Sequence, residues 1–444
     1  MIEISALLAC LSVCVDKTTI NQLSVIVSAI IAMTGRVTML GISRWTEKGG
    51  SYRTIQRFFS SKIAWSKLQW HFIRMHLLNE GDEVILVGDE SVVTKSGKHT
   101  HGLDRFFSSL YGKVIPGLGF FTFSLVSLKR RDSHPLMTKQ IIKCEEDDSS
   151  QLSSSSKQKN QSQSKEKKPP GRPKGSKNKN KEKVELSHYM LFIQGMLKQL
   201  LELVGVDYHL VYLVLYGAFG NNGALQMVRR CSMHLISKLK DNSALYFPYQ
   251  GEYSGRGPHK KYGDKINYDN IANEYLKETS LEDSIQTDIY QMTMLHKLFP
   301  QALNVVIIVK TNLLTQRKAH AVLFSSAFDL SYDLIIDYYK LRFQIEFNFR
   351  DAKQYWGLED FMNVKETQLA NSVNLAFFMV NLSHLLLKHF RLSNPLFSIL
   401  DLKAHFRGLK YVNETLKLLH QKSDPILIGH INSIISKIGS INAA

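Results

Sequence analysis

The rhythm of apolar and polar positions changes several times along the chain. Through about residue 78 apolar side chains recur at helical spacing. Within this stretch, Gly41-Ile-Ser-Arg-Trp45 and Ser51 to Phe59 flank the paired glycines Gly49-Gly50. That pattern predicts two short helices joined by a turn, with Ser51 as the N-cap of the second. Tyr52, Ile55 and Phe59 then share one stripe, expected to be buried, while Arg53, Gln56 and Arg57 cluster roughly 120° away at 100° per residue. Two readings fit: a helix-turn-helix that offers the Arg/Gln face to a DNA groove, or an ordinary helical hairpin with a solvated face.

From Glu83 the texture is that of strands. Val84-Ile-Leu-Val-Gly-Asp89 is a continuous apolar run closing on a carboxylate, which predicts a buried strand with Asp89 at its end. Leu118–Leu128 predicts one or two more strands, Leu186–Leu203 a helix, and His209–Leu215 a second buried strand running into Tyr216-Gly-Ala-Phe-Gly220. Ser232–Leu239 has the pattern of a third. Between 241 and 325, strand-like runs such as Val305–Val309 alternate with basic Gly/Pro loops, a β-rich insertion. Tyr332–Tyr355 has strong helical periodicity, with Leu334, Leu341, Ile345 and Ala352 on one stripe. On another face Tyr339, Arg342, Glu346 and Lys353 lie within about 60° of each other, joined by Arg350. After about Gln368 the chain reads as helical, and Leu375–Phe390 is apolar enough to be buried. Strands and helices in alternation imply an α/β fold with a mixed sheet.

One segment follows neither rhythm. Residues 144–184 pass from acidic to Ser-rich to Lys-rich with almost no apolar residue after Leu152, so they cannot offset their ordering entropy and predict a disordered linker. Elsewhere a hydrophobic content of 44% supports a core and excludes a largely disordered chain, and Gly 26 with Pro 10 excludes a fibrous one. Charge changes the picture more: Lys+Arg 56 against Asp+Glu 39 gives +17, which points to a polyanion, nucleic acid first and an acidic membrane surface second. Residues 157–183 alone hold 11 basic and 2 acidic residues, a net of +9. Inside them Pro169-Pro170-Gly171-Arg172-Pro173-Lys174-Gly175 resembles an AT-hook, which would place Arg172 and Lys174 in an A·T minor groove. A plain solvated charge run is the other reading. Cys10, Cys14, Cys144 and Cys231 form neither a CxxC pair nor a disulfide framework, which fits a reducing cytosol. The apolar runs Ile4–Val15 and Leu23–Met33 are too short to span a bilayer and no basic leader precedes them, so the expectation is a soluble intracellular protein.

A helix face carrying a carboxylate among cations is usually just solvated, but here the spacing is specific. Tyr339-x2-Arg342-x3-Glu346-x6-Lys353 resembles, residue for residue, the Y-(2)-R-(3)-E-(6)-K signature of the family-four insertion-sequence type of bacterial DDE transposases. Gly88-Asp89-Glu90-Ser91, Gly217-Ala-Phe-Gly220, the β-rich insertion ahead of the glutamate helix and the N-terminal helical region fall in the same order. The resemblance implies an RNase H-like core divided as 79–143, 185–240 and 326–395, interrupted by the 144–184 linker and the 241–325 insertion. A DNA-binding domain at 1–78 and a helical region at 396–444 complete it. It also implies two divalent ions, Mg²⁺ or Mn²⁺, with Asp89 as the first ligand and Glu346 as the third. Hard cations take oxygen ligands, and a pair can activate an attacking water or 3′-OH while stabilising the leaving oxygen. In that family Tyr339, Arg342 and Lys353 would handle DNA phosphates, Trp356 would stack on a flipped base, and cleavage would pass through a hairpin. The partners would be double-stranded DNA, both terminal inverted repeats and target, bound by a homodimer on paired ends in the bacterial nucleoid.

The sequence departs from that pattern at one position. The second aspartate should directly precede Gly217, where the chain has Tyr216. Asp207 sits at the opposite end of the predicted strand and cannot substitute. A phenol, ordinarily titrating near 10, adds no charge to a site that must hold dications. Metal-dependent cleavage is therefore expected to be severely weakened, which leaves a catalytically inactive DNA-binding relative, a repressor or decaying copy, as the alternative to an active transposase. A basic RNA- or chromatin-associated protein would explain the charge but not the spacing. The remaining candidates are weak. His99 and His101 lack further ligands, Glu90 points to the face opposite Asp89, and Ser91 and Cys231 lack a base.

Overall fold

Side-chain caps set the boundaries of the N-terminal helices. Asp16 accepts the Thr19 amide at 2.9 Å, Thr38 that of Gly41 at 3.0 Å, and Ser51 that of Thr54 at 3.4 Å. Each cap satisfies a donor the first turn leaves orphaned. The computed structural model describes residues 3–46, 49–108, 111–143, 181–205, 207–253, 255, 257–418 and 424–441. Of the predicted linker 144–184, residues 144–180, with Arg172, Lys174 and Cys144, lie outside the described residues, while the carbonyls of Lys181 and Val184 accept from Asn222 Nδ2 at 2.9 Å and Arg230 Nη2 at 2.7 Å. The chain forms two compact units: Met1–Ile141 with Glu202–Tyr208 and Phe343–Ala444, and Ile142–Leu201 with His209–Arg342. The units do not follow the order of segments along the chain.

The first unit opens with helices α1 (Ile4–Leu8), α2 (Lys17–Ala32), α3 (Met39–Arg44), α4 (Tyr52–Ser60) and α5 (Trp65–His76). Antiparallel strands follow: β1 (Val84–Thr94), β2 (Asp104–Ser108), β3 (Lys113–Ser127) and β4 (Ser133–Ile141), with β1, β2 and β4 all pairing β3. Phe120, Phe121 and Phe123 on β3 are fully buried. Numbering helices in chain order, the C-terminal part of this unit holds α9 (Gln344–Tyr355), α10 (Glu366–Phe390), α11 (Ile399–Lys417) and α12 (Pro425–Ile435). α5, α9 and α10 pack on β4, and α9 also reaches β1. Polar side chains lock this layer. Asn381 donates to Pro135 O at 2.8 Å and Gln69 Oε1 at 2.7 Å, while Asn371 accepts Trp65 Nε1–H at 2.7 Å and donates to Phe59 O at 2.7 Å. α10 is long and apolar enough to cross a membrane, yet 83% of its apolar window is buried inside the protein, as in a core helix.

Between these parts run α6 (His188–Val204), β5 (Tyr212–Leu215), α7 (Asn222–Arg229), β6 (His234–Leu239), β7 (Leu245–Pro248), β8 (Tyr262–Lys265), β9 (Leu276–Glu282), β10 (Ile285–His296), β11 (Ala302–Asn312), β12 (Lys318–Ser325) and α8 (Tyr332–Leu341). β5 and β6 pair in parallel, and the other pairs of this unit are antiparallel, in the order β5-β6-β12-β11-β10-β7-β8 with β9 also on β10. The α/β class with a mixed sheet is therefore present. The β-rich stretch does not stand apart: β12 returns to pair β6, Val322 against Leu239, so it extends the same sheet.

Four local expectations need correction. β1 does not end at Asp89 but continues to Thr94, because its pairing with β3 persists to Thr94 opposite Gly117. The second strand covers only Tyr212–Leu215, since its partner β6 begins at His234. The stretch Tyr332–Tyr355 is two helices, α8 and α9, broken at Arg342-Phe343, and Leu334 is 39% exposed rather than on a core stripe. On α4 it is Phe58, with Ile55 and Phe59, that turns inward, whereas Tyr52 is 44% exposed.

Candidate active site

Asp89 lies in the middle of β1 opposite Thr122, half-buried, with Oδ1 accepting the Glu90 amide at 2.8 Å. Glu346 sits in the first turn of α9, where the helix dipole favours a carboxylate. Asn348 anchors this helix to the sheet by donating to Ser133 Oγ at 2.8 Å, with Ser124 Oγ at 3.4 Å. Further along α9, Lys353 Nζ donates to Val92 O of β1 at 2.8 Å and faces Glu359 Oε1 at 3.3 Å. The layer of β1 and α9 thus carries Asp89, Glu346 and Lys353 within one unit. Arg350 is more exposed: it donates to Asp351 Oδ1 at 3.0 and 2.9 Å and lies over the Phe347 ring at 4.8 Å. Burial pushes the Asp351 carboxyl up, against the pull of Arg350.

The other half of the spacing belongs to the second unit. Tyr339 lies on α8, Arg342 is its C-cap, and the Arg342 guanidinium stands 5.8 Å from the Tyr339 ring centre. α8 packs on β5, β6, β10, β11 and β12 of the same unit. Tyr216 follows β5 directly and leads into the 3-10 turn Gly217–Phe219. Its carbonyl accepts Ser237 Oγ–H at 3.1 Å, and its ring meets Phe219 edge-on at 5.1 Å. Gly220 is required by close approach, since a Cβ there would stand 2.1 Å from Lys238 O. The turn is thus intact around a residue that cannot supply a carboxylate. Asp207, the nearest upstream acid, is engaged by Arg74 at 2.8 Å.

The remaining candidates separate. Arg53, Gln56 and Arg57 are exposed on α4, on the face expected to meet solvent or DNA. Trp356 is 1% exposed with Lys403 Nζ 4.8 Å over its ring, so it is a core residue and not a partner for a flipped base. His101 serves the chain through its backbone, accepting from Gln140 Nε2 at 2.9 Å. Periodicity gave no sign of Lys95, whose Nζ donates to Glu359 O at 2.8 Å and Phe361 O at 2.7 Å and lies 4.0 Å from the Phe361 ring centre. Burial lowers its pKa to about 8. Only the fold brings together groups so distant in sequence.

A family model described as DDE superfamily endonuclease matches residues 7–295. The chain belongs to that family. A search of curated proteins returned no match. The mixed α/β architecture agrees with an RNase H-like DDE fold, and a DDE endonuclease acts on DNA, generally with divalent metal. The matched stretch includes Asp89 and Tyr216 and ends before α8, so the Tyr339-to-Lys353 spacing lies beyond it. A two-ion centre asks for several carboxylates. The residue after β5 is a neutral phenol, and no group of three or more His, Cys, Asp or Glu suited to a metal occurs among the described residues.

Proposed function

We propose that this DDE-family chain is a transposase by descent that binds terminal inverted repeats of its own element, as a homodimer on paired ends, and that Tyr216 suppresses its metal-dependent strand cleavage. The observation that carries the reading is the tyrosine at position 216, seated in an otherwise complete turn between β5 and Gly217. Asp89 and Glu346 remain as the two carboxylates of a centre that asks for three. Two dications with fewer anionic ligands are less well neutralised, and a phenol adds an oxygen but no charge. DNA recognition does not need that centre. Tyr339, Arg342, Arg350 and Lys353 would hold phosphates near the scissile bond, the guanidinium as a fork and the ammonium as a point charge. Arg53, Gln56 and Arg57 would read a groove, and Arg172 and Lys174 would follow the minor groove.

The test compares the chain as it stands with Tyr216→Asp on DNA carrying the element's own ends, with Mg²⁺ or Mn²⁺. Cleavage should be slow or absent in the first and rise by orders of magnitude in the second, while end binding stays equal. Equal cleavage rates in both would sink the reading. The same tyrosine favours a second reading, a DNA-binding repressor or decaying copy. It predicts that Tyr216→Asp binds ends yet still fails to cut.

A further inference from the structure

The loop that leaves α9 is held more firmly than a connection of its length requires. Gly357 has φ +79°, and a Cβ there would stand 2.3 Å from Val37, so the chain turns sharply against α3's approach. Asp360 accepts the Val37 amide at 2.9 Å and pairs with Arg36 at 3.5 Å. From the other side Lys95 spans the carbonyls of Glu359 and Phe361. These contacts fix the backbone of Glu359, and its carboxylate stands 3.3 Å from Lys353 Nζ. Lys353 has one donor committed to Val92 O, and the pair is open to solvent, the Lys353 and Glu359 side chains being 29% and 49% exposed.

We infer that Glu359 occupies the anion position of Lys353 in the DNA-free chain and must yield it to a DNA phosphate when DNA docks. The inference rests on reading Lys353 as a phosphate contact. A carboxylate and a phosphodiester oxygen present the same charge-assisted acceptor to an ammonium. An ion pair this exposed is weak enough to be exchanged. Its effect is specificity: contacts that merely draw the chain to DNA must compete with a resident acid, and only a backbone docked in register supplies the phosphate that displaces it. Glu359 is therefore a residue that sets the threshold for docking at Lys353, not one that touches the reacting atoms.

The experiment measures binding of a random-sequence DNA duplex across a salt series for the full chain, Glu359→Gln, Glu359→Ala, Lys353→Ala and the double variant Glu359→Ala/Lys353→Ala, with thermal melting to confirm folding. Both Glu359 variants should bind about two- to five-fold more tightly at low salt, the range an exposed ion pair is worth. Their salt dependence should steepen by about 0.9, one more released counterion. In the Lys353→Ala background the gain should vanish. Unchanged affinity in Glu359→Ala, or a gain that persists without Lys353, overturns the inference while leaving Lys353 a phosphate contact. If Lys353→Ala binds duplex carrying the element's own ends, where the phosphate is in register, as well as the full chain does, the phosphate reading fails and this inference with it.

Discussion

His384 is half-buried on α10 with its Nδ1 shielded from solvent, its ring edge-on to that of His134 at 5.7 Å. Burial first, and then the charge of His134, push its pKa down to about 3, with Arg391 acting the same way and Asp132 opposing. Beside it, burial works to raise the Asp132 carboxyl, but His134, 3.4 Å away, and the Arg130 guanidinium at 3.1 Å outweigh it and hold it at about 2. The folded pKa of His384 lies below its unfolded value of 6.5, so between the two the unfolded chain binds more protons and stability falls as pH falls. Asp132 adds a further loss only below its ordinary value of 3.8. From pH 6.5 to 5 the His384 contribution alone amounts to about 2 kcal/mol. Urea midpoints at pH 7 and pH 5 should converge in His384→Leu relative to the full chain; an identical drop in both would show that His384 is not the sensor. None of this cluster was legible in the sequence, because β4 and α10 meet only in the fold. The turn after β5 was legible, since Gly217-Ala-Phe-Gly220 marks it within the sequence itself. The α4 stripe was half legible. Ile55 and Phe59 turn inward as periodicity predicts, but Asn371 reaching back to Phe59 O, with Phe58 fully buried, draws in a residue that spacing from Tyr52 could not choose.

At the scale of elements, local pattern found the strands and helices but misplaced their ends. β1 runs past Asp89 because β3 still offers partners there, and pairing rather than hydropathy decides where a strand stops. The α8–α9 break is similar. A continuous helix would bury Leu334 with Ile345, whereas the break leaves Leu334 exposed and puts Glu346 in a first turn, where its charge is stabilised by about 0.3–1 kcal/mol. Glycines separate two kinds of local constraint. Gly357→Ala meets both a left-handed backbone, at about 1–2 kcal/mol, and the Val37 side chain. It should lower the melting temperature by several degrees and loosen the loop that carries Glu359. Gly195 lies inside α6 with nothing within 4 Å of a Cβ, so Gly195→Ala should gain about 0.5–1 kcal/mol from helix propensity. Melting curves of the two variants should move in opposite directions, and a stabilised Gly357→Ala would refute the constraint assigned to the loop.

At the scale of the whole molecule, the order of elements was readable and their partners were not. Nothing in β12 announces that it returns to β6. Such pairing is chosen by registers that only the assembled sheet offers. Net charge, in contrast, is a property no fold can hide, and it divides unevenly: of +17, residues 157–183 carry +9, leaving +8 for all the rest. Counterion release makes affinity for duplex DNA depend on salt by about 0.9 per phosphate neutralised. If the basic segment acts as a nonspecific tether, deleting 157–183 removes its share of that slope without touching residues that distinguish one sequence from another. Random-duplex affinity should then fall steeply at low salt, the slope should flatten by several units, and the ratio of affinities for an element end over random duplex should rise. A fluorescence titration of both DNAs over a salt series reads all three quantities. An unchanged slope would mean the segment's charge is not engaged by DNA. A ratio that collapses would mean that Arg172 and Lys174 contribute to sequence choice, as an AT-hook would, so the same deletion separates the two readings of that motif.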